Sequence, residues 1–195
     1  MGRKRKGDPV HGWLIVDKPL GLTSSTVVGK VKRLFNAAKA GHGGTLDPLA
    51  SGVLPIAFGE ATKTVSYVMD GIKVYQFTVR WGESRTTDDG EGEVTRTSDV
   101  RPDEAAINDA LKSFVGDIEQ VPPAYSAIKV DGKRAYDLAR NDIAVELKPR
   151  TIHIERFDLI DMPGPDHGTF EVVAGKGSYM RGLARDLALK LGTCG

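Results

Sequence analysis

The chain has 195 residues, 40% of them hydrophobic, and a formal net charge of +1, which suits one ordinary domain with an apolar core. It holds no apolar run near the ~18 residues of a membrane span and opens with no signal-peptide pattern, so we expect no membrane partner. The single cysteine, Cys194, excludes an internal disulfide and a multi-cysteine zinc site, and is typical of a reducing cytoplasm.

Hydrophobic periodicity in the first half of the chain predicts short strands alternating with helices. Thr23 or Ser24 is placed to cap the first helix, whose apolar stripe is Val28, Val31, Leu34 and Phe35. The predicted elements are a strand at 13–16, a helix at 25–35, a strand at 53–58, a helix at 62–69 and a strand at 73–81.

The second half of the chain begins with an exposed loop at 83–92 that mixes acidic residues with glycine. The helix after Pro102 should bury Ile107, Leu111 and Phe114. The remaining predicted elements are a helix at 102–114, a strand at 125–130, a helix at 133–141, paired strands at 151–160 and 169–174, and a last helix at 178–191. Together these segments predict an α+β class.

The run from Gly41 to Gly52 concentrates chemistry in one loop. It holds a single carboxylate, Asp47, among several glycines, and His42 lies five residues before it. Pro48 drives Asp47 away from helix toward an extended or turn conformation. For an isolated Asp-Pro among glycines, a plain surface turn is the better interpretation. The residues around Asp47 decide whether the loop is a plain surface turn or presents a functional carboxylate.

Read together, the residues of this loop resemble the catalytic loop of the tRNA pseudouridine synthase B (TruB) family, G-H-x-G-x-L-D-P-x-A-x-G. Further segments match the family in the right order along nearly the whole chain. They are Asp17-Lys18-Pro19 with Thr23-Ser24, Gly59-Glu60-Ala61-Thr62-Lys63, Tyr75, Gly116 to Gln120, Pro123-Ala124-Tyr125-Ser126-Ala127, and Lys176-Gly177-Ser178-Tyr179-Met180-Arg181.

The resemblance implies the pseudouridine synthase fold, a mixed, largely antiparallel sheet with flanking helices, and isomerisation of the T-loop uridine at position 55 of tRNA. By the same resemblance Asp47 is the nucleophile, Arg181 pairs with it and orients it, and Tyr75 stacks on the target base. An aspartate is ionised at neutral pH and is still a competent leaving group. Attack at C1′, attack at C6 and formation of a glycal all remain open.

Several side chains are expected to bind RNA. His42 matches the family histidine that helps to hold the opened loop, and Lys18 supports the floor of the site with Pro19. Residues 122–150, here called the thumb segment, match the family segment that closes on the T-arm. Basic residues interleaved with aromatics suit an RNA backbone and its bases. The predicted RNA-binding residues of the thumb segment are Lys129, Lys133, Arg134 and Arg140.

The reaction changes no oxidation state and needs no group donor, so we expect no cofactor. The sequence has no Walker A motif, and Gly175-Lys176-Gly177 lacks the third glycine of a dinucleotide loop. The four histidines are scattered without an i, i+4 pair, so we expect no metal. The expected partner is the tRNA T-arm, bound by a monomer.

The resemblance also implies that residues 1–195 form a catalytic domain incomplete at its carboxyl end, because family members continue into a small RNA-binding PUA domain. Gly43 departs from the family, in which many members have threonine, and its lack of a side chain is expected to loosen the His42 loop. Three alternatives stay open. They are a glycoside hydrolase, which usually needs two facing carboxylates, a non-catalytic RNA-binding module, and a guide-RNA-dependent synthase.

Overall fold

The computed structural model describes residues 7–126, 128–130, 133–135 and 147–195. The backbone divides into two units, Met1–Gly71 and Ile72–Gly195. Each unit has an antiparallel sheet and a separate cluster of buried apolar side chains. The predicted α+β class, with a largely antiparallel arrangement of strands, is therefore confirmed.

The first unit is built on a three-stranded sheet in the order β1-β3-β2. One face of β3 buries Leu54, Ile56 and Phe58 in a cluster that also includes Val27 from the first helix. Its elements are β1 (Gly12–Lys18), α1 (Ser24–Leu34), β2 (Ala40–His42), β3 (Gly52–Phe58), a 3₁₀ turn (Gly59–Thr64) and α2 (Val65–Asp70).

The structure shows which residue caps helix α1. The hydroxyl of Thr23 accepts a hydrogen bond from the Thr26 amide at 3.1 Å, so Thr23 is the N-cap. The predicted apolar stripe is wrong at Leu34, which is 79% exposed, whereas the 44% exposed Phe35 packs its ring against the buried Phe58 with centroids 5.4 Å apart. The helix ends at Leu34, and Asn36 then takes a φ of 44°, which turns the chain toward β2.

The second unit is built on a four-stranded antiparallel sheet in the order β4-β11-β10-β7. Two helices, α3 and α4, bury apolar residues in the cluster formed by one face of this sheet. As predicted, Ile107, Leu111 and Phe114 are buried. The elements are β4 (Lys73–Arg80), β5 (Glu83–Arg85), β6 (Val94–Thr97), α3 (Glu104–Leu111), a 3₁₀ turn (Lys112–Phe114), β7 (Gly116–Gln120), β8 (Lys129–Val130), β9 (Lys133–Arg134), β10 (Arg150–Asp161), β11 (His167–Ala174) and α4 (Met180–Lys190).

Two sequence predictions fail in this unit. The segment at 83–92 is not a plain exposed loop, because β5 pairs with β6 and most of its residues are only partly exposed. Within the thumb segment Lys129 pairs with Arg134 in register, so Lys133 and Arg134 form a strand where the predicted helix was to begin. Ala135 is helical, and residues 136–141 of the predicted helix lie outside the described residues. In both places cross-strand pairing overrides the local pattern.

Candidate active site

The loop that carries Asp47 joins β2 to β3 and is fastened to its own unit at both ends. His42, the last residue of β2, pairs with Ile56, and the Gly43 amide donates to the Pro55 carbonyl at 2.8 Å. Further along, the Pro48 carbonyl accepts from the Gly21 amide at 2.8 Å. The backbone on either side of the half-buried Asp47 is therefore held in place.

Ser24 holds the residue directly before Asp47. Its hydroxyl accepts from the Leu46 amide at 2.9 Å and donates to the Leu46 carbonyl at 3.0 Å. The side chain is only 2% exposed, so these bonds are largely shielded from water. Sequence reasoning treated Ser24 as a possible helix cap and as part of a family motif, and did not predict its contact with Leu46. The sequence did contain a clue, because once Thr23 caps the helix the hydroxyl of the neighbouring Ser24 is available to bond another group.

Replacing Ser24 by alanine is expected to lower the free energy of unfolding by about 1–3 kcal/mol, because it leaves the amide and carbonyl of Leu46 without their shielded partner. The control is Ser25→Ala, since Ser25 is the exposed neighbour in the same helix. Urea denaturation of both variants measures the difference. Equal free energies of unfolding for the two variants would contradict this assignment.

Lys18, the last residue of β1, has no exposed surface. Its ammonium donates to the carbonyls of Leu22 at 2.8 Å and Pro19 at 3.0 Å. Burial lowers the pKa of Lys18, and the negative charge of the nearby Asp47 acts in the opposite direction. The support of the floor by Lys18 and its contact with RNA both stay predictions.

His42 and Gly43 show how the loop is packed. The Nδ1 atom of His42 is buried and has no hydrogen-bond partner among the described residues. Gly43 is buried, and a Cβ added there would lie 3.1 Å from a methyl carbon of Val68. A side chain at position 43 would therefore crowd Val68. The expected loosening of the loop by Gly43 is offset here by this close packing.

Tyr75 lies on β4 in the second unit, opposite Val172 of β11. It is half-buried and lies on the same strand face as Phe77 and Val79, as the alternation predicted. Burial raises the pKa of the Tyr75 phenol, so the hydroxyl stays protonated at neutral pH. A protonated phenol keeps both an aromatic face and a hydrogen-bond donor.

Gln120, at the end of β7, fixes the start of α4. Its amide oxygen accepts from the Tyr179 amide at 2.9 Å and its amide nitrogen donates to the Tyr179 carbonyl at 3.0 Å. Gln120 is 1% exposed, and a Cβ on Gly182 would lie 2.9 Å from its Nε2 atom. The Tyr179 side chain makes no capping hydrogen bond, and Gln120 instead pairs with the backbone of this N-cap residue and satisfies its N–H. Sequence reasoning did not identify this residue as functional.

Arg181 is in the first turn of α4, and its side chain is 13% exposed. Its guanidinium donates to the Thr87 carbonyl at 2.8 Å and to the Tyr125 carbonyl at 2.9 Å. Its Nε atom lies 3.7 Å from the Asp89 carboxylate. These partners come from segments far apart in sequence, so the pattern of residues did not reveal them.

The predicted site residues thus fall into both units. Asp47, Lys18 and His42 lie in the first, and Lys18 is close enough to Asp47 for their charges to interact. Tyr75 and Arg181 lie in the second, so the pairing of Arg181 with Asp47 stays a prediction. Of the thumb residues, Lys129, Lys133 and Arg134 are in the β8–β9 hairpin, and Arg140 lies outside the described residues.

The described part of the chain offers neither a metal-binding cluster nor a membrane-spanning helix. No group of three or more His, Cys, Asp or Glu side chains there is arranged to hold a metal ion. No helix in the same residues combines the length and the apolar character needed to cross a membrane.

Comparison with known proteins finds several similar proteins that share one name. A protein of Rhodospirillum rubrum named tRNA pseudouridine synthase B is 65% identical over 195 residues, which is 100% of this chain and 63% of the relative. A protein of the same name from Gluconacetobacter diazotrophicus is 61% identical over 193 residues, covering 99% of this chain and 63% of the relative. The chain therefore spans less than two thirds of the length of these relatives.

The fold and the family are also supported independently. A solved structure described as a Cbf5-Nop10-Gar1 complex matches with a TM-score of 0.71 and 31% identity, covering 94% of this chain and 45% of that one. The sequence pattern described as TruB family pseudouridylate synthase, N-terminal domain, matches residues 32–180. This chain belongs to the TruB family of pseudouridylate synthases.

Proposed function

We propose that the chain carries the catalytic machinery that converts the T-loop uridine at position 55 of tRNA into pseudouridine. The observation that supports this most directly is a half-buried aspartate, Asp47, whose preceding residue is fixed by the buried Ser24 hydroxyl, in a member of the TruB family. The relatives named tRNA pseudouridine synthase B support the substrate class.

The chemistry of the reaction fits one held carboxylate. Pseudouridine formation breaks the N1–C1′ bond, turns the uracil and joins its C5 to C1′, with the C5 proton released to solvent and a proton taken up at N1. One half of the nucleoside has to be retained while the other turns, and a covalent bond to a carboxylate oxygen does this. In this proposal Asp47 is that nucleophile and Arg181 orients it. No external electron or group donor enters.

The target base has to leave the folded T-loop before it reaches Asp47, which costs a few kcal/mol of stacking and pairing. In the proposal Tyr75 stacks on the flipped uracil, and His42 helps to hold the opened loop. The thumb residues Lys129, Lys133, Arg134 and Arg140 contribute phosphate contacts on the T-arm, so binding should weaken with salt. A monomer in the cytoplasm, where tRNA is found, is the setting that we propose.

Tyr75→Phe is expected to keep tRNA binding within about twofold while lowering turnover, because the ring remains and the protonated hydroxyl is lost. Tyr75→Leu should lower turnover further, since stacking on a base is worth about 1–3 kcal/mol. Single-turnover rates and filter binding of both variants measure this. The matched control is Tyr67→Phe, because Tyr67 is 79% exposed. Identical behaviour of the Phe and Leu variants would refute separate roles for ring and hydroxyl.

The function is tested by tritium release from tRNA transcripts labelled at C5 of uridine, with no guide RNA present. We expect release from the wild-type transcript and none from a transcript with cytidine at position 55. Binding without release would favour the RNA-binding module. Release of free uracil would favour a glycoside hydrolase, and turnover that appears only when a guide RNA is added would favour a guide-dependent synthase.

A further inference from the structure

Two arginines on α4, one helical turn apart, each join the loop at 86–89 to the segment at 121–125. Arg181 donates to the Thr87 carbonyl at 2.8 Å and to the Tyr125 carbonyl at 2.9 Å. Arg185 donates to the Asp88 carboxylate at 3.0 Å and to the Val121 carbonyl at 2.7 Å. Residues four apart lie on the same face of a helix, so both side chains lie between the same two segments.

The Arg185–Asp88 pair is shielded from water. The two side chains are 21% and 17% exposed, unlike a surface ion pair, which contributes little. Arg185 also contacts the Asp186 carboxylate through Nε at 2.9 Å, which orients the guanidinium from a second side. Burial raises the pKa of Asp88, while the charges of Arg185 and Arg181 oppose that rise and Asp186 adds to it.

Asp88 determines the course of the loop. It has a φ of 55°, in the left-handed region that most residues with a side chain avoid and that Asp enters more readily than most. Its amide donates to the Arg85 carbonyl at 3.1 Å. The carbonyl of Thr87, the residue before Asp88, accepts a hydrogen bond from Arg181. The carboxylate of Asp89, the residue after Asp88, lies 3.7 Å from Arg181 Nε.

The Asp89 carboxylate is itself set by the loop. Its Oδ1 atom accepts from the Thr87 hydroxyl at 2.5 Å and from the Glu91 amide at 3.0 Å. A loop with this course presents Thr87 and Asp89 to Arg181 and turns Asp88 toward Arg185. If Asp88 lost Arg185, its left-handed backbone would lose a side-chain contact that stabilises it.

We infer that Asp88 and Arg185 form a positioning pair that holds the loop at 86–89 so that Thr87 and Asp89 fix the Arg181 guanidinium. Neither residue is assigned a contact with RNA or with the reacting atoms. The effect on catalysis rests on the proposed function, because there Arg181 orients the Asp47 nucleophile. The effect on the loop does not depend on that function.

The test uses Asp88→Asn and Arg185→Lys, each of which nearly keeps the shape of the side chain and should allow folding. Asparagine loses the charge of the pair, and lysine lacks the fork that reaches Asp88 and Val121 together. In the tritium-release assay we expect kcat to fall by about 5- to 100-fold with KM unchanged, the range typical of a displaced catalytic group. In protein without RNA, hydrogen exchange of the Asp88 and Glu91 amides should quicken at least about fivefold.

The control is Asp109→Asn, which removes the charge from a pair with Lys112 whose side chains are 81% and 77% exposed. This control variant should change neither kcat nor the hydrogen exchange of the Asp88 and Glu91 amides. A double variant, Asp88→Asn with Arg185→Lys, should be little worse than the more damaged single variant, because both changes break one interaction. Unchanged hydrogen exchange in the single variants would overturn the proposal. So would an active wild type whose single variants keep full kcat.

The two proposals fail in distinguishable ways. A wild-type chain that releases no tritium from any transcript would count against the proposed function, and the hydrogen exchange of the loop would still decide the positioning pair. An active wild type whose single variants show faster exchange and lower kcat supports both. A rise in KM alone would point to RNA binding and would overturn the positioning role.

Discussion

Asp47→Asn is expected to remove pseudouridine formation, with a single-turnover rate at least about 10⁴-fold below the wild type, while binding of T-arm RNA stays within a few-fold. An amide nearly matches the carboxylate in size, so the loop should keep its shape. It lacks the negative charge that attacks the nucleoside in the proposed reaction. Chemistry is lost, and the surfaces that bind RNA are left in place.

The geometry of the loop makes this variant a clean test. The Ser24 hydroxyl bonds to Leu46, and the Gly21 amide bonds to Pro48, so the backbone on both sides of residue 47 is held by groups that the substitution does not touch. The backbone of the loop should therefore keep its course in the variant. The control, Asp99→Asn, removes a charge at an exposed position and should keep full activity.

Rates are measured by tritium release under single-turnover conditions, and affinity by filter binding with the same transcript. Pseudouridine formed by Asp47→Asn within a few-fold of the wild-type rate would exclude Asp47 as the nucleophile. Loss of RNA binding in step with loss of turnover would instead assign Asp47 to substrate recognition.

Much of the fold was predictable because its signals are local. Strict alternation in β4 placed Tyr75, Phe77 and Val79 on the buried side, as observed. The stripe of α3 was also right, since Ile107 and Leu111 are buried. These patterns depend only on the period of the element, which a single sequence displays directly.

The errors occur where distant segments meet. The strands β5 and β6 are short, and each is stabilised by its pairing with the other, so their own residues carry little signal. Leu34 fits the period of α1, but the helix ends there and the side chain is left exposed. No local pattern reports where a neighbouring segment will end.

The sequence motifs predicted candidate residues for the chemistry of the site, but they did not predict the residues that support it. Asp47, Tyr75 and Arg181 came from family motifs, whereas Ser24 and Gln120 act through backbone groups that lie 22 and 59 residues away in sequence. A buried polar side chain has to find such partners, because leaving it unpaired costs free energy. The sequence displays the side chain but not the partner, and only the three-dimensional arrangement identifies it.

Arg181→Lys is the second variant with a large expected effect, at least about a 100-fold loss of turnover, comparable with removing one oriented donor from an active site. The positive charge is retained. The arginine fork now reaches the Thr87 and Tyr125 carbonyls at 2.8 and 2.9 Å, and a lysine ammonium on a flexible stem cannot hold both in the same plane. The variant therefore separates the charge of Arg181 from its fixed orientation.

Arg181→Met removes the charge as well and should also destabilise the second unit, because each carbonyl left without its partner costs about 1–3 kcal/mol. Melting temperature and single-turnover rate distinguish the two variants. Arg96→Lys is the control, since Arg96 is exposed on β6. If Arg181→Lys retains wild-type turnover, a positive charge at position 181 is sufficient and the two carbonyl contacts serve only stability. If Arg181→Lys is as inactive as Arg181→Met but melts like the wild type, the orientation of the guanidinium is what catalysis requires.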